Sequence, residues 1–232
     1  MVNAMRNLTN KTVLVLLLAA AAAFGQVLEI HHLDVGQGDA TLVIGPNKTV
    51  MLIDGGNTGK GSGVILPYLD DLGVDSIDYI VATHMHTDHI GGLDEVMAGG
   101  LQIGDVLDNG SSAPYYSYAD YVMAAAAYAS SRKTIAVGEV IDLGKGATAT
   151  CVYRNEQGGG GGFSVDEEND KSVCLLIEYK KLPYFIGGDI GGGNIGYSDV
   201  ESFVAPDVGD VDVLRVNHHG SSSSSNETFL GT

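Results

Sequence analysis

Apolar positions along the chain recur mostly in short β-type runs and only twice in a long helical period. Residues 27–33, 40–44 and 49–53 are β-rich runs broken by Gly, Pro and Asn, and Gly45-Pro46-Asn47-Lys48 is suited to the turn of a hairpin. They read as consecutive antiparallel strands. Over 62–72 the period changes: Val64, Ile65, Tyr68, Leu69 and Leu72 fall at helical spacing and Gly73 follows as a stop. Residues 76–83 form a strand, 93–97 begin a helix, 102–107 form a short strand, and the Ala-rich stretch 118–131 reads as a helix. A second block carries strand patterns at 137–142, 147–154, 173–179, 182–187 and 211–216, a flexible five-glycine loop at 158–162 and a short helix over 194–203. Two strand-rich blocks with few helices predict an α/β fold in which two sheets pack face to face with helices outside.

The first residues belong to a different pattern. Arg6 and Lys11 precede an apolar run over 13–24, and Ala23-Phe24-Gly25 places small residues before Gln26. This is the layout of a signal peptide over 1–25 with a single domain at 26–232 and a secreted or periplasmic destination. A transmembrane anchor needs roughly 20 apolar residues, so an uncleaved anchor is the lesser reading and no membrane span is expected in the mature chain. Export places Cys151 and Cys174 where a disulfide is chemically allowed; two buried thiols are the equal alternative. The formal charge of −17 repels polyanions at long range, so stable binding of duplex nucleic acid is not expected. A phosphate ester remains compatible, because bound cations can invert the potential inside a cleft.

The chemistry concentrates in Thr83-His84-Met85-His86-Thr87-Asp88-His89-Ile90-Gly91-Gly92, directly after a buried strand. His84 and His86, two apart on extended backbone, can face one ion, and Asp88 with His89 can reach a second. Imidazole and carboxylate together suit Zn²⁺, with Mn²⁺ or Fe also accommodated.

His84-x-His86-x-Asp88-His89 followed by Gly-Gly resembles the signature of the metallo-β-lactamase superfamily. Asp34-Val35-Gly36-Gln37-Gly38-Asp39-Ala40, Ile53-Asp54-Gly55-Gly56, Gly187-Gly188-Asp189 and Asn217-His218-His219-Gly220-Ser221 narrow the resemblance to the soluble domain of ComEC/Rec2-like competence proteins and their secreted relatives. The resemblance implies an αββα four-layer sandwich with two divalent ions at one edge. His84 and His86 would hold the first ion, Asp88 and His89 the second, and Asp189 would bridge them. His219 would complete the second site, with His218 the open alternative. Asp34, Gln37, Asp39 and Asp54 would be structural, Asp54 by orienting a ligand from behind. Two departures stand out. No histidine lies between His89 and His218, which leaves the first ion short of a ligand that the superfamily commonly has. The chain also stops at Thr232, soon after the histidine pair, which suggests a shortened second half or a fragment.

The function implied is hydrolysis by a metal-bridged hydroxide, oriented by Asp88, with the non-ligating histidine, His218, as proton donor to the leaving group. Ser221 and Ser222 are placed to donate hydrogen bonds to a substrate oxygen. A phosphodiesterase or nuclease acting on a small diester is the leading expectation. A hydrolase of a carbonyl substrate, such as a β-lactam or lactone, and a non-catalytic binding module with a decayed site are the alternatives.

Overall fold

A computed structural model describes residues 27–155, 167–194 and 196–231. The proposed signal peptide, the five-glycine loop and the last residue lie outside the described residues. Among the described residues no helix is long and apolar enough to cross a membrane.

The first sheet contains six strands in chain order: β1 (Glu29–His32), β2 (Thr41–Ile44), β3 (Val50–Ile53), β4 (Ser76–Val81), β5 (Gln102–Asp108) and β6 (Ala129–Thr134). The β1–β2–β3 meander is antiparallel, as the hairpin signals required, and β3 to β6 are parallel. Parallel strands need crossovers, which the helices α1 (Leu66–Leu72), α2 (Thr87–Ile90), α3 (Leu93–Met97) and α4 (Tyr116–Tyr128) supply. Gly73 ends α1 in the left-handed conformation (φ 68°), where a residue with a Cβ is disfavoured. The second sheet has the order β11-β10-β9-β8-β7, built from β7 (Val140–Gly144), β8 (Ala147–Tyr153), β9 (Cys174–Tyr179), β10 (Leu182–Ile186) and β11 (Val213–Arg215). Two helices, α5 (Val200–Val208) and α6 (Glu227–Leu230), complete the chain.

Alternation along the strands produces the layers. In the first sheet Leu42, Leu52, Ile80 and Val106 point outward onto Leu69, Leu93, Val96 and Tyr121 of the helices. Their neighbours Val43, Met51, Ile53, Val81 and Leu107 point inward and meet Leu143, Ala149, Cys151, Leu175, Ile177 and Ile186 of the second sheet. The second sheet turns Tyr153, Cys174 and Phe185 onto Val200, Val204 and Phe229. The result is the expected αββα sandwich, in which strands buried on both faces need continuous rather than alternating hydrophobicity.

Two elements differ from the sequence expectation. The helix expected over 118–131 ends at Tyr128, and β6 begins at the next residue. Polar Ser131 and Arg132 are recruited to the sheet edge by Asp105 and Asp108, at 2.8 and 2.7 Å. The helix expected over 194–203 starts later, where Asp199 Oδ1 caps it by accepting from Ser202 N at 3.1 Å. No disulfide joins the two buried cysteines: Cys151 packs between the sheets, whereas Cys174 packs on the opposite face beneath α5.

Candidate metal centre

The end of β4 runs into Thr83 and the histidine cluster, at the edge of the sandwich where the two sheets meet. Val173 N donates to Thr83 O (2.8 Å), tying the entry of β9 to the exit of β4. His86 caps α2 in an extended conformation, so His84 and His86 flank the fully buried Met85 and share one side. His84 Nε2 and His86 Nδ1 are 3.1 Å apart. Asp88 and His89 follow within the helical turn, and the loop before β2 passes so close that a Cβ on Gly38 would collide with the Asp88 carbonyl.

The orientation of each imidazole has a visible cause. His89 Nδ1 contacts Asp54 Oδ2 at 2.8 Å, which turns Nε2 toward the cluster. Asp54 also accepts from Thr83 N and Thr83 Oγ1, at 2.8 and 2.7 Å. Because the Thr83 hydroxyl spends its proton on Asp54, it serves as acceptor for His84 Nδ1 at 3.1 Å, leaving His84 Nε2 as a lone pair.

From the second half come Asp189, which follows β10, and the histidine pair, which follows β11. His218 and His219 both adopt the left-handed conformation, with φ of 50° and 51°, which sends their rings apart. His219 Nε2 lies 3.2 Å from His89 Nε2, 3.2 Å from Asp189 Oδ2 and 3.5 Å from Asp88 Oδ2. His218 turns instead toward Asn169 and Ser223, at 3.1 and 2.9 Å, and its Nε2 is 4.0 Å from Asp189 Oδ2. Of the alternatives left open by the sequence, the geometry therefore places His219 rather than His218 among the facing donors.

The structure also adds groups that sequence reasoning placed elsewhere or passed over. Asp39, expected to be structural, brings a carboxylate oxygen into a group with His89, Asp189 and His219 whose donor atoms all lie within 4.8 Å of one another. It is at the same time ion-paired with Arg215, whose guanidinium lies 3.3 Å from His219 Nδ1. Tyr115 lies against His86 and Tyr197 against His218, with ring centroids 5.8 and 5.2 Å apart. No local pattern marks these residues, since they reach the site only through the fold. Asp34 is structural as expected, accepting from Gly36 N at 3.1 Å.

The electrostatics follow from this crowding. Burial drives the His84 pKa well below its ordinary value, with His89 adding to the effect. Burial acts on His89 in the same sense, but Asp189 and Asp54 overcome it and hold the ring well above its usual range. Hydrogen bonds to Asp189 and Asp88 raise His219 to about 9. Asp189 is pulled far below the carboxylate range despite its burial, by His89 and His219. Burial lowers His218.

The residues fit a divalent cation. Imidazole nitrogens face each other at 3.1 and 3.2 Å, an arrangement that only a shared proton or a cation reconciles. Asp189 Oδ1 is buried without a hydrogen-bond partner, which costs a carboxylate about 1–3 kcal/mol or more unless a ligand satisfies it.

Comparison with known proteins agrees with the fold. The sequence pattern of the Metallo-beta-lactamase superfamily matches residues 33–99. Recombination protein 2 of Haemophilus influenzae is 26% identical over 215 residues, an alignment covering 87% of this chain and 22% of that protein. ComE operon protein 3 of Bacillus subtilis is 26% identical over 219 residues, covering 87% of this chain and 26% of the other. The chain thus spans about a quarter of the length of these relatives. A solved Thermotoga maritima structure given a metallo-β-lactamase name superposes with a TM-score of 0.51 at 15% identity, over 81% of this chain and 93% of that one. In fold and in the order of its motifs, this chain is similar to the ComEC/Rec2-like proteins of the metallo-β-lactamase superfamily.

Proposed function

We propose that the chain is an exported metal-dependent hydrolase whose domain, 26–232, cleaves a phosphodiester. The observation that carries this reading is the convergence of His84, His89 and His219 on Asp189 Oδ2, with His86 against His84 and Asp88 against His219, while Asp189 Oδ1 is left without a hydrogen-bond partner. Two divalent ions held by these six residues would supply Lewis acidity and lower the pKa of a bound water from 15.7 toward roughly 7. Asp189 stands where one carboxylate reaches both groups of donors, His84 at 3.9 Å and His89 at 3.2 Å. Asp54 fixes His89 from behind, and Asp88 is aimed at His219 and placed to orient the attacking water. Arg215 beside the cluster provides a positive group in an otherwise acidic protein, suited to an anionic substrate oxygen.

His218 is the proton donor to the leaving oxygen. Its lowered pKa makes it a stronger acid when charged and a scarcer one at neutral pH. Cleavage of a diester with a poor leaving group should therefore fall as pH rises through the neutral range, more steeply than for a nitrophenyl ester. Equal pH profiles for the two substrates would remove His218 from this role.

The test of the function is metal content after purification without chelator, followed by rates on a short phosphodiester and on a cephalosporin. Bound metal with diester turnover supports the reading, and turnover of the cephalosporin alone refutes it. Asp189→Ala should abolish both metal binding and activity, since each ion loses a ligand; retention of both ions in that variant would be fatal to the assignment.

A further inference from the structure

The ion assigned above to His84 and His86 lacks the third histidine that the fold's relatives would lead one to expect. Asn169 Oδ1, bordering the cluster, is one of four buried side-chain oxygens among the described residues that no hydrogen bond satisfies. We propose that Asn169 takes the place of that histidine, giving its side-chain oxygen to the ion held by His84, His86 and Asp189. The inference rests on the metal-dependent reading of the site.

Asn169 opens the short helical turn Asn169–Lys171 before β9 and is 3% exposed. Its backbone carbonyl accepts from Ser172 Oγ at 2.6 Å. The same Ser172 oxygen accepts from Asp189 N at 3.1 Å and lies 3.4 Å from His84 Nδ1. One hydroxyl thus ties Asn169 to two of the groups proposed to hold the first ion. The side chain borders the cluster as well, because Nδ2 meets His218 Nε2 at 3.1 Å, itself 4.0 Å from Asp189 Oδ2. With the ring proton on Nδ1, toward Ser223 Oγ, His218 accepts at Nε2. That sets the amide with its NH₂ toward the ring and its oxygen turned elsewhere.

This oxygen, Asn169 Oδ1, is buried without a hydrogen-bond partner, as is Asp189 Oδ1. Buried carboxamide oxygens in folded proteins are almost always satisfied. Of the nearby hydroxyls, Ser172 donates to the Asn169 backbone carbonyl, Ser223 faces His218 and Ser221, and Tyr197 reaches the Asn169 side chain. A cation bound beside Asn169 and Asp189 would give each of these oxygens a partner.

The substitution changes the chemistry of the first position. Two imidazoles, a carboxylate and a neutral amide oxygen form a harder donor set than three imidazoles and a carboxylate. Such a set moves selectivity from Zn²⁺ toward Mn²⁺.

The experiment is metal binding to the full chain and three variants, followed by titration calorimetry with Mn²⁺ and Zn²⁺ and by the absorption bands of the Co²⁺-substituted protein. Asn169→Leu keeps the volume and removes the donor, and should lose one ion while keeping the other. Asn169→Asp, which keeps an oxygen, and Asn169→His should hold both. The histidine variant should also shift preference toward Zn²⁺ by about tenfold and alter the Co²⁺ bands. A folded Asn169→Leu that binds both ions as tightly as the parent overturns the proposal. So does an Asn169→Asp variant that is folded yet loses the same ion. If the parent itself binds no metal, the functional reading fails and this one with it; if it binds both ions but cleaves no diester, only the functional reading fails.

Discussion

Asp54 sits in a left-handed backbone conformation (φ 58°), which costs a residue bearing a Cβ roughly 1–2 kcal/mol. What offsets that strain is the work of its two oxygens: they accept from Thr83 twice and hold His89 Nδ1. Replacing Asp54 with Asn leaves one of these groups facing an NH₂. Asp54→Asn should weaken metal binding by about 10–100-fold with the fold retained, as a chelator competition would measure; unchanged affinity would mean that packing alone orients His89. At this scale the sequence was informative where function is local. Four donors in six residues after a strand can be read without coordinates, and so can the supporting place of Asp54. The choice of His219 over His218 rested on the resemblance alone, because the geometry depends on two consecutive left-handed residues that no pattern announces. Asp39 was legible as a turn residue but not as a neighbour of His219, since Arg215, which it pairs with, lies far along the chain.

Between elements, the coupling that matters most to the site runs through Glu201 in the first turn of α5. It is fully buried and accepts from Asn217 Nδ2, Ser225 N and Asn226 N at 2.7, 2.7 and 2.8 Å. The turn that carries the histidine pair is thereby clamped to the helix behind it. Glu201→Ala would strand three buried donors at about 1–3 kcal/mol each before relaxation. Its thermal midpoint should fall and its affinity for the ion at His219 should drop; loss of stability without loss of affinity would show that the turn holds its shape unaided. Most strands were legible because Leu42-Val43, Met51-Leu52 and Ile80-Val81 are apolar on both faces, as strands buried in a sandwich must be. β6 was not, because Ala-Ser-Ser-Arg-Lys-Thr has neither alternation nor apolar content. Pairing with β5 makes it a strand, and pairing is a property of the fold.

For the whole molecule, the metal-free chain has a distinct dependence on pH. His89 and His219 have raised pKa values in the folded state, His219 at about 9 against an ordinary 6.5. Their contribution to stability is full below the unfolded value of 6.5 and is lost as pH rises through the folded one. Asp88 and Asp189 are depressed from 3.8, so theirs is present above that value and lost as pH falls further. His84 and His218 are lowered instead, so they cost stability as pH falls below 6.5. The metal-free chain should therefore melt highest at about pH 6.5 and at lower temperature toward pH 9. Bound ions take over from the protons, so the metal-loaded chain should show no such decline on the alkaline side. A metal-free midpoint that stays flat over that range would argue that the cluster is not protonated. The clustered side chains also come from both halves of the sandwich: positions 84–89 follow a strand of the first sheet, and positions 189 and 219 follow strands of the second. Neither half presents the full donor set before the other has docked on it, so metal binding at this cluster would follow the folding barrier and cross-link a finished sandwich. Refolding should then proceed at the same rate with or without metal, while unfolding slows sharply in its presence. Bound ions would act as a latch on lifetime more than as a guide to folding, a kinetic rather than an equilibrium form of stability.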